Sequence, residues 1–166
     1  KLIEEPNYNV FFILIHNCNK KILSTLKSRC LTFKINLSFD QSINISNQIL
    51  NDNIFNLLNK DLINYYNTPG DFINLINFSK ENKIKLKEYN LKNFLSYLID
   101  EKLYKNSSFV KLYIYDYIEL YFLKIFNQTI NKNKIIHLYV KFIKKISDTN
   151  TFNLDYESLF MEFKSK

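Results

Sequence analysis

The sequence predicts a mainly helical chain that begins with the end of an α/β domain. Three observations lead there. A single continuous apolar run, Val10-Phe-Phe-Ile-Leu-Ile15, has the pattern of a central strand covered on both faces. From Ser38 onward the apolar residues recur at helical spacing. Within 166 residues there are only one glycine and two prolines to interrupt helices, and 46% of residues are hydrophobic, enough for a sizeable core. The expected organisation is residues 1–37 as the end of the α/β domain with about two strands, 38–82 as a three-helix bundle, and 83–166 as a C-terminal helical bundle.

Taken in order, Lys1-Leu2-Ile3-Glu4-Glu5 has the character of a helix tail stopped by Pro6, which cannot continue a helix interior. With no initiator methionine before it, the chain is expected to be the C-terminal part of a longer protein. The apolar run Val10–Ile15 is followed by the polar stretch His16-Asn17-Cys18-Asn19, at a strand's C-terminal end, where open α/β sheets gather their ligands. A short helical segment is expected from Lys20, with Ser24-Thr25 capping a further turn. Leu31, Phe33 and Ile35 alternate with Thr32, Lys34 and Asn36 as a short half-buried strand.

Ser38 and Asp40 are caps for a helix to about Leu50. Further helices are expected over Ile54 to Tyr66, and from Pro69, at a first turn, to about Asn82. Longer ones follow at Lys87 to Tyr104, Ser107 to Asn127, Lys132 to Ser147 and Leu154 to Phe163. In the second of these four, Tyr113, Tyr117, Tyr121 and Phe122 with Ile114, Ile118 and Ile125 cover most of the circumference, the mark of a helix central to its bundle.

Composition excludes several classes. Asn, Lys and Ile abound in the manner of codon bias, while 16% aromatic residues contradict disorder. Two cysteines are too few for a disulfide framework and suit a reducing compartment, with the cytoplasm as default. The most apolar stretch, Phe109 to Phe126, is interrupted by Lys111, Asp116, Glu119 and Lys124, so no membrane partner is expected. The net charge of +7 is uneven: residues 1–82 carry eight basic and seven acidic side chains, and 83–166 fifteen and nine. The basic half fits either a solvated surface or phosphate contacts with nucleic acid.

Chemistry concentrates at Ser28-Arg29-Cys30. Arg29 is the only arginine among 23 basic residues, in a chain that otherwise uses lysine. A guanidinium offers a planar fork that grips carboxylate or phosphate with two parallel bonds, which a lysine cannot reproduce. A structural ion pair is the alternative. His16, Cys18, Cys30 and His137 lack the spacing of a zinc site, and Cys30 has no evident general base beside it. Glu4 and Glu5, adjacent on a helix, point different ways and form no acid/base pair. With Gly70 as the only glycine and no Lys-Ser/Thr pair after a glycine-rich loop, the chain has no phosphate cradle of its own.

The helix end Leu2-Ile3-Glu4-Glu5-Pro6, the apolar strand and Thr25-Leu26-Lys27-Ser28-Arg29-Cys30 together resemble the end of the AAA+ module of bacterial clamp-loader subunits of DNA polymerase III. In those proteins a Leu-x-x-Leu-Glu-Glu-Pro helix end, a sensor strand and Ser-Arg-Cys follow one another at this spacing. The likeness continues more weakly through Thr68-Pro69-Gly70-Asp71, a lid helix start, to Phe152-Asn153-Leu154-Asp155, which suits the delta-prime type better than the gamma/tau type.

The resemblance implies an AAA+ end, a three-helix lid and a helical collar. Its partners would be other clamp-loader subunits (gamma/tau and delta), the sliding clamp and primed DNA. It also implies that Arg29 acts as an arginine finger in trans on the ATP of a neighbouring subunit, with Glu5, Pro6, Ser28 and Cys30 as motif support and no cofactor bound by this chain. Asn17 falls at the sensor position, where the family often has threonine; a helix-capping role is the alternative. Asp71 stands near where active relatives carry a sensor arginine. The chain is then no enzyme alone but a subunit of the polymerase holoenzyme. A gamma/tau-type ATPase and a basic helical nucleic-acid-binding module are the competing readings.

Overall fold

The computed structural model describes residues 9–16 and 21–164 of the chain. Two compact units result, Lys1–Asn36 and Leu37–Lys166. Among the described residues the regular structure is helical throughout.

In the first unit a four-residue helix, α1 (Ser24–Lys27), stands between two segments without regular structure. The mainly helical class holds, but the two expected strands do not form. A strand is stable only when its N–H and C=O groups meet a neighbouring strand, and neither Val10–Ile15 nor Leu31–Ile35 finds one among the described residues. Leu31, Phe33 and Ile35, expected to be half-buried, are 88%, 82% and 85% exposed, whereas Val10–Ile15 still shows the period of two. Phe11, Ile13 and Ile15 are almost fully exposed while Val10, Phe12 and Leu14 are about half exposed. The helical segment expected from Lys20 is shorter than anticipated, since residues 21–23 lie outside any helix. Ser24, expected as a cap, is the first helical residue.

The second unit opens with α2 (Phe39–Leu50). Ser38 caps it in a reciprocal box: the Gln41 N–H donates to Ser38 Oγ at 3.3 Å and the Ser38 N–H to Gln41 Oε1 at 2.9 Å. It ends at Asn51, in the left-handed conformation that asparagine tolerates. The helix expected over Ile54 to Tyr66 is broken into α3 (Ile54–Leu57) and a 3₁₀ turn at Lys60–Leu62. Asparagines account for the break. Asn53 caps the start of α3 by accepting from the Phe55 N–H, whereas the carboxamides of Asn59 and Asn64 accept from the Asp61 and Tyr66 N–H groups and offer the backbone local partners that compete with the helix.

Helix α4 (Pro69–Glu81) has proline at its first position and a Thr68–Asp71 capping box. The helix expected from Lys87 starts only at α5 (Leu91–Asp100), where Asn90 accepts the Asn93 N–H at 2.8 Å. Lys102, at φ 51°, separates it from α6 (Leu103–Asn106). Three longer predictions hold with small shifts: α7 (Ser108–Gln128), α8 (Lys132–Phe152) and α9 (Tyr156–Lys164).

Helix α7 is central, packing against α4, α5, α6 and α8. Its Val110, Ile114, Tyr117 and Ile118 meet the α5 stripe Leu91, Phe94, Leu95, Leu98 and Ile99, spaced i, i+3, i+4, i+7, i+8. Phe94 joins the two sides, edge-on to Phe78 of α4 at 6.2 Å and to Tyr117 at 5.3 Å. A second aromatic set, Phe122, Phe142 and Phe163, ties α7, α8 and α9 together at centroid distances of 5.5 to 6.0 Å. Glu157 at the start of α9 receives Lys102 Nζ at 2.6 Å and Lys105 Nζ at 2.8 Å. The Lys102 hydrogen bond first, then that from Lys105, lowers its carboxyl from the ordinary 4.5 to about 2.

Two measurements test this packing. Phe94, with no exposed surface, loses its contacts with both neighbours when truncated, and Phe94→Ala should cost ~3–5 kcal/mol in urea unfolding. Because the Glu157 carboxyl is depressed on folding, its contribution is present above the unfolded value and is lost as pH falls through the folded one. Stability should decline between pH 4.5 and about 2, and Glu157→Gln should flatten that part of the profile in unfolding followed at stepped pH.

Candidate functional site

The Ser28-Arg29-Cys30 turn is built by the end of α1. Leu23 C=O accepts from the Leu26 and Lys27 N–H groups at 3.0 Å each, Ser24 C=O accepts from the Ser28 N–H at 3.0 Å, and Leu26 C=O accepts from the Arg29 N–H at 3.1 Å. Ser28 keeps helical dihedrals and its hydroxyl donates to Thr25 C=O at 3.1 Å. The last carbonyls of a helix usually lack partners; here those of Ser24, Thr25 and Leu26 are engaged by Ser28 and Arg29. The turn is therefore held by its own backbone. It carries Arg29 on the exposed surface of the first unit, with Cys30 half-buried beside it. A guanidinium at such an exposed position offers the planar fork of donors that grips a carboxylate or phosphate.

The remaining motif positions, Glu5, Pro6 and the sensor-position candidate Asn17, lie outside the described residues, as does Cys18. His16 is exposed at the end of the first segment. Among the described residues no group of three or more His, Cys, Asp or Glu gathers as metal ligands would, and no helix is long and apolar enough to cross a membrane.

At the start of α4, Asp71 has a role the sequence does not announce. Its Oδ2 accepts from the Thr68 N–H at 2.8 Å and the Thr68 hydroxyl at 2.9 Å, and its Oδ1 from the Tyr113 hydroxyl on α7 at 2.8 Å. Asn74 Nδ2 donates to the same Tyr113 oxygen at 3.1 Å. One carboxylate oxygen thus closes the cap of α4 and the other fixes α4 on α7. Burial, with Glu119 and Asp71 nearby, raises the Asp116 carboxyl, and burial above all raises the Tyr113 and Tyr117 hydroxyls. Gly70 is not required by its backbone: a Cβ there would meet only Thr68 Oγ1 at 3.7 Å. This corner fastens helices.

The surface of α8 was also missed by counting charges alone. Its exposed residues fall into an apolar stripe, Ile136, Val140 and Ile143, and a parallel basic stripe, Lys134, His137, Lys141 and Lys144. The i, i+3, i+7, i+10 spacing of the basic residues is the signal that would have found it.

Residues 1–38 match the family described as DNA polymerase III, delta subunit. The match covers Ser28-Arg29-Cys30 and under a quarter of the chain. It relates this stretch to clamp-loader-type subunits of the replication machinery without distinguishing the delta-prime branch. The chain matches no curated protein sequence and no solved structure.

Because Arg29 is exposed and lysine keeps its positive charge, Arg29→Lys should leave the fold intact. Thermal unfolding by circular dichroism should match that of the unaltered chain to within the ~0.5 kcal/mol usual for surface changes.

Proposed function

We propose that this chain is part of a clamp-loader subunit of DNA polymerase III, of the delta-prime type, and that Arg29 serves as an arginine finger for a neighbouring subunit. The observation that carries this is the coincidence of the family match over residues 1–38 with the chain's only arginine, on an exposed turn. Phosphoryl transfer is accelerated chiefly by positioning and by stabilising charge on the phosphate oxygens. A guanidinium delivered by a second subunit supplies two aligned donors at the moment that charge develops. Lysine, with a single mobile point charge, does not reproduce the geometry.

In this proposal residues 1–37 end an AAA+ ATPase-like domain, 38–82 form the lid and 83–166 the collar. The subunit has no ATP turnover of its own and binds no cofactor; the ATP belongs to its neighbour. Gamma/tau and delta subunits are its partners, and it reaches the sliding clamp and primer-template DNA through the complex, in the cytoplasm. Asn17 is the candidate sensor-position residue. The rest of the chain acts as scaffold, coupling hydrolysis next door to placing the clamp on DNA.

An arginine finger accounts for ~10³ to 10⁵ in rate at the site it completes. In a clamp loader reconstituted with the full-length parent protein, Arg29→Lys should therefore abolish clamp- and DNA-stimulated hydrolysis at the neighbouring site while the complex still assembles on gel filtration. Unchanged turnover in an assembled complex would leave Arg29 a structural residue.

A further inference from the structure

We infer that the exposed face of α8, with the adjoining edge of α7, is a docking surface for an acidic amphipathic helix. Three features converge on it. The first is the apolar stripe: Val140 is 58% exposed, and Ile136 and Ile143 flank it one turn away on either side. The second is a groove of about 200 Å³ that continues this stripe onto α7, lined by Phe122, Leu123, Phe126, Ile135, Ile136 and Tyr139. That volume is below the range of ordinary small-molecule pockets and suits an anchoring side chain from a partner helix. The third is charge. Helix α8 holds five lysines against the single acidic residue Asp148, and Lys134, His137, Lys141 and Lys144 form one unbroken edge of the apolar stripe.

The pairing of stripe and edge selects the occupant. At 100° per residue, Tyr139, Ile143, Ile136 and Val140 fill one arc of α8, and Lys144, His137, Lys141 and Lys134 fill the next. A helix laid along the apolar arc must present a second row of side chains to the basic one, and acidic residues there gain complementary charge. A second copy of this chain does not: antiparallel pairing of α8 with itself sets lysine against lysine. Nucleic acid would satisfy the basic row but leave the apolar arc and the groove unfilled. Glu119, the one acidic residue of the groove, faces Tyr139, whose hydroxyl is raised by burial first and by Glu119 next, so it lies away from the basic edge. These two helices support the inference by themselves, whatever Arg29 does.

The test uses the full chain and a synthetic amphipathic helix with a leucine stripe bordered on one edge by glutamate, labelled for fluorescence anisotropy. Saturable binding is expected, weakened ~10-fold or more by Lys141→Glu with Lys144→Glu, and likewise by Val140→Asp, with helical circular dichroism unchanged in each variant. A peptide of the same stripe bordered by lysine should fail to bind. Binding indifferent to both variants, or no binding at all, overturns the proposal. So does tighter binding of duplex DNA or of anionic vesicles at the same residues, or self-association of the chain through α8 in sedimentation.

Discussion

Helix α7 carries apolar side chains around most of its circumference, and such a helix is stable in water only when other elements surround it. The arrangement of the second unit answers that constraint. Helices α4, α5 and α6 cover the side bearing Val110, Ile114, Tyr117 and Ile118, while α8 and α9 close over Phe122 through Phe142 and Phe163. Each neighbour spends its own apolar stripe on this task. Helix α5 is the fullest case, with five buried residues at i, i+3, i+4, i+7 and i+8, each contributing ~1.5–3 kcal/mol when fully withdrawn from water. Polar contacts then fix angles and register: Asp71 and Asn74 meet Tyr113, Lys124 meets Asp61 at 3.0 Å, and Lys164 meets Asp100 at 2.5 Å. Exposed pairs of this kind contribute little energy apiece, so their role is orientation.

Much of this was legible in the sequence because helix periodicity is a local signal. The stripe that makes α7 central, the Ser38 cap and the proline start of α4 can all be recognised without knowing what lies next to them. The breaks within expected helices share one cause. Where asparagines lie within a periodic stretch, at Asn59 and Asn64, their carboxamides capture nearby N–H groups and divide one expected helix into two short pieces. Asn90 likewise delays α5 by setting a cap inside the stretch expected to be helical. Apolar spacing says which face is buried, but not which backbone group a short amide will reach first.

The first unit shows the opposite limit. Strand formation depends on partners distant in sequence, so Val10–Ile15 keeps the period-two exposure pattern of a strand without any ladder among the described residues, and Leu31–Ile35 is exposed throughout. The Ser28-Arg29-Cys30 turn stands out as a candidate because residue identity carries it: a lone arginine in a lysine-rich chain is visible at any level of structure. What the sequence could not supply was the bracing, since the bonds from Ser28 and Arg29 back into α1 are matters of backbone geometry. Asp71 was read chiefly as the lack of an arginine, yet it fastens α4 to α7.

Charge and apolarity on α8 are informative only jointly. Lysines spread along a helix usually mark a solvated face, and single exposed aliphatic residues are ordinary. Neither would attract notice alone. Their division into adjacent arcs is different, because solvation explains the basic arc and leaves the apolar one at a cost that grows with its area. Helix α8 has its inner face satisfied by Phe142 and Thr149, while Ile136, Val140 and Ile143 stay about half exposed. A surface left half uncovered by its own fold, that continues into a groove and that is bordered on one edge by four basic side chains is shaped for a partner with the inverse pattern.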